Sequence, residues 1–171
     1  MVHIYCGDGK GKTTAAMGLA LRCAGSGRRA LVLQFLKDGS SSELAPLSRT
    51  EGAEVVPQTR AFGFTWTLSP EEREEAGIYY SGLLETAWEK ASAGGYGLLV
   101  LDEPLGACAA GLIDEGRLLA LLDSAPEGLE VVLTGRGPSQ ALLDRADYVT
   151  EMRKVKHPFD RGVAARRGVE Y

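Results

Sequence analysis

The part of this chain best suited to chemistry is a glycine-rich run near its start, Gly7-Asp8-Gly9-Lys10-Gly11-Lys12-Thr13-Thr14. Glycines at alternate positions leave backbone N–H groups uncovered and permit positive φ angles. Successive N–H groups that lead into the N-terminus of a helix form a cradle for anions, and Lys12 adds a positive charge. The hydroxyl of Thr13 can bind Mg²⁺. The run therefore predicts a P-loop, a site for a nucleotide triphosphate with Mg²⁺.

The run departs from the P-loop pattern at one position. The pattern has a glycine five residues before Gly11, but this chain has Cys6 there, so the first glycine comes one place late at Gly7. A chance glycine turn is the alternative interpretation. The run follows the apolar segment Val2–Cys6 and precedes an alanine-rich segment that predicts a helix. That context favours phosphate binding.

Two adjacent carboxylates, Asp102 and Glu103, follow the apolar segment 98–101. In a P-loop protein, an acid at the end of a buried strand meets Mg²⁺, so both are candidate metal ligands together with Thr13. A merely polar strand end is the alternative. If the reaction is phosphoryl transfer or hydrolysis, Glu103 positions the water and Arg136 stabilises charge on the phosphates. These residues do not decide which bond of the nucleotide breaks.

Segment 60–68 carries three aromatic side chains without a clear helical or strand period: Phe62, Phe64 and Trp66. Phosphate cleavage alone gives no reason for several aromatics in one loop near the cleft. From the residues alone, burial in the core is the better interpretation of Phe64 and Trp66, since buried aromatics are common.

The elements that must position these groups alternate between strands and helices. Apolar segments predict strands at residues 2–6, 30–36, 53–56, 98–103, 129–134 and 148–152, and helices are predicted at 15–24, 69–93, 114–122 and 139–145. The alternation predicts an α/β fold of three layers, a parallel sheet with helices on both faces. Because loops at the carboxyl ends of parallel strands meet at one edge, we expect one cleft in a single domain, residues 1–171.

Composition excludes several other classes of protein. With 44% hydrophobic and 25% charged residues, the chain resembles an ordinary globular protein. Its net charge of −4 gives no reason to expect nucleic-acid binding, and no apolar run approaches the roughly 18 residues of a membrane-spanning helix. Three widely spaced cysteines fit neither a disulfide framework nor a zinc site, and they suit the reducing cytoplasm.

Several segments taken together resemble one family. They are the altered P-loop described above, Gln34-Phe35-Leu36-Lys37, Gly63-Phe64-Thr65-Trp66, Leu101-Asp102-Glu103, Leu133-Thr134-Gly135-Arg136, Val155-Lys156-His157-Pro158-Phe159-Asp160-Arg161-Gly162-Val163 and Gly168-Val169-Glu170-Tyr171. In this order, over essentially the whole chain, they resemble the P-loop type of ATP:corrinoid (cob(I)alamin) adenosyltransferase. The two segments of the tail are the most specific to that family.

The resemblance implies a RecA-like P-loop NTPase fold and an activity. The activity is transfer of the 5′-deoxyadenosyl group of ATP to the Co(I) centre of a reduced corrinoid, cobalamin or a precursor, with release of triphosphate. It also implies Mg²⁺, a reductase that supplies Co(I), and a homodimer. A RecA-like ATPase or a small-molecule kinase is the alternative, and its product would be ADP.

The resemblance assigns roles to individual residues as well. Nucleotide binding falls to Gly7, Asp8, Gly9, Lys10, Gly11, Lys12, Thr13, Thr14 and Arg136. Metal binding falls to Thr13, Glu103 and Asp102, and contact with the corrin ring falls to Phe64 and Trp66. The catalytic candidates are Lys12, Arg136, Phe64 and Trp66. Because Co(I) has no proton to lose, the implied reaction needs no general base.

Overall fold

The fold is that of a computed structural model, which describes residues 1–170; Tyr171, the last residue of the family-like tail, lies outside the described residues. The strands of the described part form one sheet: β1 (Val2–Cys6), β2 (Arg29–Gln34), β3 (Ala53–Val55), β4 (Tyr96–Asp102), β5 (Glu130–Thr134) and β6 (Tyr148–Glu151). Their order is β3-β2-β4-β5-β1-β6, and all neighbouring pairs are parallel. The predicted parallel sheet is confirmed.

Helices fill the connections between these strands. They are α1 (Lys12–Gly25), α2 (Leu44–Ser48), α3 (Pro70–Ser92), α4 (Pro104–Ala109), α5 (Glu115–Asp123) and α6 (Gln140–Arg145), followed by a 3₁₀ turn (Pro158–Arg161). Ser69 and Glu72 form a capping box at the start of α3. The sequence did not predict α2, α4 or the 3₁₀ turn, because so short an element shows no clear period.

Apolar side chains pack on both faces of the sheet. On one face, Met17 of α1 and Leu47 of α2 cluster with strand residues such as Val32. On the other face, the larger cluster includes Tyr80 of α3 and Leu33, the neighbour of Val32 in β2. Since successive strand residues point to opposite faces, the two clusters confirm the predicted three layers. Within residues 1–170, none of the helices combines the length and apolar character that a membrane crossing demands.

Two strands differ in extent from the prediction. β2 ends at Gln34 rather than at residue 36, because Leu36 adopts a left-handed conformation with a φ of 58°. β4 runs from Tyr96 to Asp102 instead of 98–103, because Glu103 turns away with a φ of 63°. Among residues 1–170, Leu36 and Glu103 are the only non-glycine residues with positive φ. Both lie just beyond the carboxyl ends of adjacent strands.

Candidate active site

The phosphate-binding loop joins β1 to α1, and two of its glycines adopt conformations that other residues rarely adopt. Gly7 has a φ of 102° and Gly11 a φ of 116°. A Cβ on Gly7 would lie 2.5 Å from the carbonyl oxygen of Met152, and a Cβ on Gly9 would lie 2.6 Å from the same atom. The glycines are therefore required by the turn itself and by the chain after β6, which passes close to the loop.

Lys12 is enclosed by this loop and is only 8% exposed. Its ammonium donates hydrogen bonds of 2.9 Å to the carbonyl oxygens of Gly7 and Gly9. Burial lowers the pKa of Lys12, and the nearby carboxylate of Glu103 acts in the opposite direction. The two bonds fix the ammonium in the loop, where the lysine of a P-loop meets phosphate.

Two of the predicted nucleotide-binding residues already have partners in the chain. The N–H of Gly9 donates to the carbonyl of Met152 over 2.6 Å. Oδ1 of Asp8 accepts a hydrogen bond of 2.9 Å from the N–H of Lys154, and this bond lowers the pKa of Asp8. Both bonds tie the loop to the segment after β6. Direct binding of nucleotide by Gly9 and Asp8 stays a prediction.

Asp102, the last residue of β4, is fully buried and accepts four hydrogen bonds. Oδ1 accepts from the hydroxyls of Thr13 at 2.8 Å and Thr134 at 2.7 Å. Oδ2 accepts from the side-chain amide of Gln34 at 3.0 Å and from the ammonium of Lys37 at 2.9 Å. These bonds occupy the carboxylate, and the bond from Thr13 directs its hydroxyl hydrogen toward Asp102, which leaves oxygen lone pairs of Thr13 available to a metal. Direct binding of a metal by Asp102 stays a prediction.

Glu103 is the second acid, and its carboxylate accepts no hydrogen bond from any of residues 1–170. Its left-handed backbone costs about 1–2 kcal/mol relative to an ordinary conformation. Burial and, after it, the charge of Asp102 raise the pKa of Glu103, whereas the cations Lys12, Lys37 and Arg136 oppose that shift. Glu103 thus presents an available carboxylate among three positive charges.

Arg136 follows β5 and is exposed. The residue before it, Gly135, has a φ of 144°, and a Cβ there would lie 2.6 Å from Cβ of Leu105, so glycine lets the chain pass α4. The charge of Arg136 contributes to lowering the pKa of Asp8 and opposes the rise in the pKa of Glu103. It therefore lies within electrostatic reach of both the loop and the acid pair. Its contact with phosphate stays a prediction.

The aromatic segment is divided between core and solvent. Phe62 packs against Tyr79 and Tyr80, with ring centroids 5.5 Å and 5.8 Å apart. Phe64 and Trp66 are 66% and 76% exposed, and they stack on each other with centroids 4.6 Å apart and planes 12° from parallel. Burial in the core, which the residues alone favoured for this pair, is therefore wrong. The pair is an exposed apolar surface that a flat ligand can cover.

Arg73 holds this segment, and sequence reasoning missed it. From the first turn of α3 it donates to the carbonyl of Thr65 at 2.8 Å and to the carbonyl of Ala110, just after α4, at 2.7 Å. Arg73 thereby ties the aromatic segment to the end of α4. A lone arginine among the glutamates of α3 gives no sequence signal of this contact.

A cavity of about 1050 Å³ joins these parts. Its lining includes Lys10, Thr13, Lys37, Phe62, Phe64 and Glu170. The phosphate loop, the residues after β2, the aromatic segment and the tail therefore share one space.

The tail reaches this cavity through Gly168, Val169 and Glu170. The guanidinium and N–H of Arg166 donate to the carboxylate of Glu170. These bonds lower the pKa of Glu170 to about 2, with a smaller contribution from Lys10 of the loop. The family-like tail thus lies beside the phosphate loop.

These elements define the class of P-loop nucleotide-binding α/β proteins. The cytoplasmic domain of the type VII secretion ATPase EccC of Thermomonospora curvata is similar, with a TM-score of 0.51 and 18% identity over 95% of this chain and 21% of that one. EssC (ATPases 2 and 3) from Geobacillus thermodenitrificans is similar with a TM-score of 0.50 and 16% identity, over 98% of this chain and 34% of that one. At such identities the likeness concerns the fold alone, and it confirms the predicted P-loop NTPase fold.

Sequence similarity narrows this class to one family. The model of the family described as ATP:corrinoid adenosyltransferase BtuR/CobO/CobP matches residues 1–171. The corrinoid adenosyltransferase of Pseudomonas aeruginosa is 36% identical over 98% of this chain and 82% of that protein. Corrinoid adenosyltransferase CobA of Salmonella typhimurium is 34% identical over 100% of this chain and 85% of that protein. The chain belongs to the ATP:corrinoid adenosyltransferase family, and the alternative of an ATPase or kinase is not favoured.

Proposed function

We propose that this chain transfers the 5′-deoxyadenosyl group of ATP to the Co(I) centre of a reduced corrinoid and releases triphosphate. Membership of the family supports this class of reaction. The structural observation that supports this reaction for the present chain is one cavity. It is lined both by Lys10 and Thr13 of the phosphate loop and by Phe64 of the stacked pair. Phosphate cleavage needs only the loop, whereas exposed aromatics beside it suit a second, flat and largely apolar substrate.

The proposed step is an in-line displacement at C5′ of the ribose. An electron pair of Co(I) forms the Co–C5′ bond while the C5′–O bond breaks, and its electrons leave with the triphosphate. Negative charge builds on that leaving group, so Lys12, Arg136 and the N–H groups of the loop stabilise the transition state. Co(I) has no proton to lose, which explains why the site needs no general base.

Phe64 and Trp66 have a different task in this proposal. Their stacked rings form an apolar wall against the lower face of the corrin. Such a wall excludes water and favours the four-coordinate state in which Co(I) is most accessible. Arg73 supports the wall through its bond to Thr65.

The residues at the acid pair suit Mg²⁺, held by Thr13 and Glu103. The Thr13 hydroxyl donates its hydrogen bond to Asp102, and the Glu103 carboxylate has no hydrogen-bond donor within residues 1–170. Nowhere in that range do three His, Cys, Asp or Glu side chains gather into a metal site. Mg²⁺ commonly takes one or two protein ligands and completes its shell with phosphates and water. When bound, it would neutralise charge on the triphosphate.

The test is anaerobic incubation of the protein with ATP, Mg²⁺ and chemically reduced cob(I)alamin. We expect the absorbance change of a new Co–C bond, with one triphosphate released for each bond formed. A reaction without corrinoid is the control. Formation of ADP and phosphate without a Co–C bond would overturn the proposal in favour of an ATPase or kinase.

Further features of the enzyme belong to the same proposal. We expect residues 1–171 to act as one domain, in a homodimer, in the cytoplasm, with a reductase that supplies Co(I). The resemblance of the sequence to the family supports the dimer and the reductase, and the spacing of the cysteines suits a reducing compartment. Light scattering of the purified protein measures the oligomeric state directly.

A further inference from the structure

Lys37 is a charged residue of the cavity to which the proposed reaction gives no role. Its ammonium lies 2.9 Å from Oδ2 of Asp102, whose side chain is fully buried, while 29% of the Lys37 side chain is exposed. Oδ1 of the same carboxylate accepts the hydroxyl of Thr13 at 2.8 Å. One buried carboxylate therefore links Lys37 to the proposed metal ligand Thr13.

The backbone brings Lys37 to this place through an unusual turn. Leu36, directly before it, has a φ of 58°, and Glu103 at the end of the adjacent strand has a φ of 63°. The turns meet at Gly106, where a Cβ would lie 3.0 Å from Cδ1 of Leu36 and 3.4 Å from Oε2 of Glu103. Conformations of this kind persist where surrounding structure enforces them, often at functional sites. Here they place Lys37 within electrostatic reach of the Glu103 carboxylate.

Cations outnumber the two carboxylates among the charged groups that act on the acid pair. Lys12, Lys37 and Arg136 all act on the carboxylate of Glu103, and Lys37 also pairs directly with Asp102. Three cations thus face two carboxylates. A divalent cation that approaches alone meets no excess of negative charge, and Lys37 repels it. A polyphosphate brings several negative charges and reverses that balance.

We propose that Lys37 is an internal counterion of the acid pair that makes metal binding depend on the nucleotide. In the nucleotide-free protein its ammonium supplies the positive charge that a metal would bring to Asp102. The metal consequently enters with the triphosphate group and not before it. This inference rests on the proposed metal role of Thr13 and Glu103.

The test is calorimetric titration of the protein with Mn²⁺ alone, in the absence of nucleotide. We expect the wild-type protein to bind Mn²⁺ weakly. Lys37→Met keeps the length of the side chain without its charge, and it is expected to bind Mn²⁺ at least about tenfold more tightly. Lys37→Arg keeps the charge and is expected to bind as weakly as wild type. Lys10→Met removes another cavity cation and is the matched control, with no comparable gain.

Equal Mn²⁺ affinity in the wild-type and Lys37→Met proteins would overturn the inference, and so would tight Mn²⁺ binding by the wild type. Titration with inorganic tripolyphosphate, with and without Mn²⁺, tests separately whether the proposed metal site exists. If Mn²⁺ neither binds Lys37→Met nor strengthens tripolyphosphate binding, the proposed metal site itself is wrong. Circular dichroism checks the fold of each variant. If Lys37→Met does not fold, Lys37→Gln replaces it. Tight Mn²⁺ binding by the wild-type protein would still overturn the inference.

Discussion

The two ends of the candidate site are built in opposite ways. At the phosphate end, Asp102 is fully buried with its acceptor positions filled, and Lys12 is held by two carbonyl groups. At the aromatic end, Phe64 and Trp66 are mostly exposed, and Arg73 ties their segment down. A polyphosphate is best bound by dipoles fixed in advance, whereas a large flat ring is bound by apolar surface that loses water on contact. Substitutions at the two ends should therefore have separable effects.

The largest effect is expected from Asp102→Ala, which should lower the free energy of unfolding by about 3–5 kcal/mol. The substitution leaves the Lys37 ammonium and two threonine hydroxyls without their shared acceptor. Asp102→Asn keeps the shape and should cost less, about 1–3 kcal/mol. Urea unfolding measures both values, with the exposed Asp38→Ala as control. A loss below about 1 kcal/mol for Asp102→Ala would contradict the idea of a rigid phosphate end.

Next in size is Lys12→Ala, which should reduce ATP-dependent formation of the Co–C bond by roughly 10²–10³-fold. The loop then lacks the buried cation that faces the leaving triphosphate. Corrinoid affinity should change little, because the aromatic end is untouched. Lys10→Ala, at an exposed position of the same loop, is the control and should lose much less. Comparable losses in both variants would show that overall charge matters and the fixed geometry does not.

At the other end, Trp66→Ala should raise KM for the corrinoid by about three- to tenfold, which corresponds to the binding free energy of one aromatic contact. KM for ATP should stay unchanged. Because Trp66 is 76% exposed, the free energy of unfolding should stay within about 0.5 kcal/mol of wild type. Phe159→Ala, at a similarly exposed aromatic of the 3₁₀ turn, is the control. Unaltered corrinoid kinetics in Trp66→Ala would disprove the role given to the aromatic segment.

The smallest effect concerns pH and belongs to the phosphate end alone. The pKa of Glu103 is raised by burial and by Asp102, so this carboxyl gains its proton at a higher pH than an ordinary glutamate. Protonated Glu103 cannot ligate a metal, and Mn²⁺-dependent binding of tripolyphosphate should weaken as pH falls through that raised pKa. Glu103→Gln should flatten the profile, whereas Trp66→Ala should keep it. Calorimetry at a series of pH values makes the comparison.

Much of the architecture could be predicted because the strands are short apolar runs closed by glycine or polar residues. The start of α3 agrees with the helix predicted over residues 69–93, because Ser69 and Glu72 form a local capping box there. The ends of β2 and β4 could not be predicted, since a positive φ is uncommon at residues other than glycine and the sequence gives no signal of it at Leu36 or Glu103. The start of β4 could not be predicted either, since Gly97 lies within this strand although glycine is uncommon inside strands.

The site could be predicted where one local segment performs the task, as in the glycine-rich loop. The partners of that loop come from far along the chain. Met152 and Lys154 form hydrogen bonds with Gly9 and Asp8, from which they are separated by more than a hundred residues of sequence. No local sequence pattern predicts such a contact. The exposure of Phe64 and Trp66 also depends on tertiary structure, since an aromatic residue in sequence predicts burial by default.

The carbonyl of Met152 receives the N–H of Gly9 one residue beyond β6, an outer strand of the sheet. The number of residues between β6 and Lys154 is consequently as constrained as the glycines themselves. One residue inserted after Glu151 would move that carbonyl by a full step of extended chain, about 3.3 Å, and empty the place it fills. In this enzyme, a change in chain length at this short junction should therefore separate the phosphate loop from the segment that holds it.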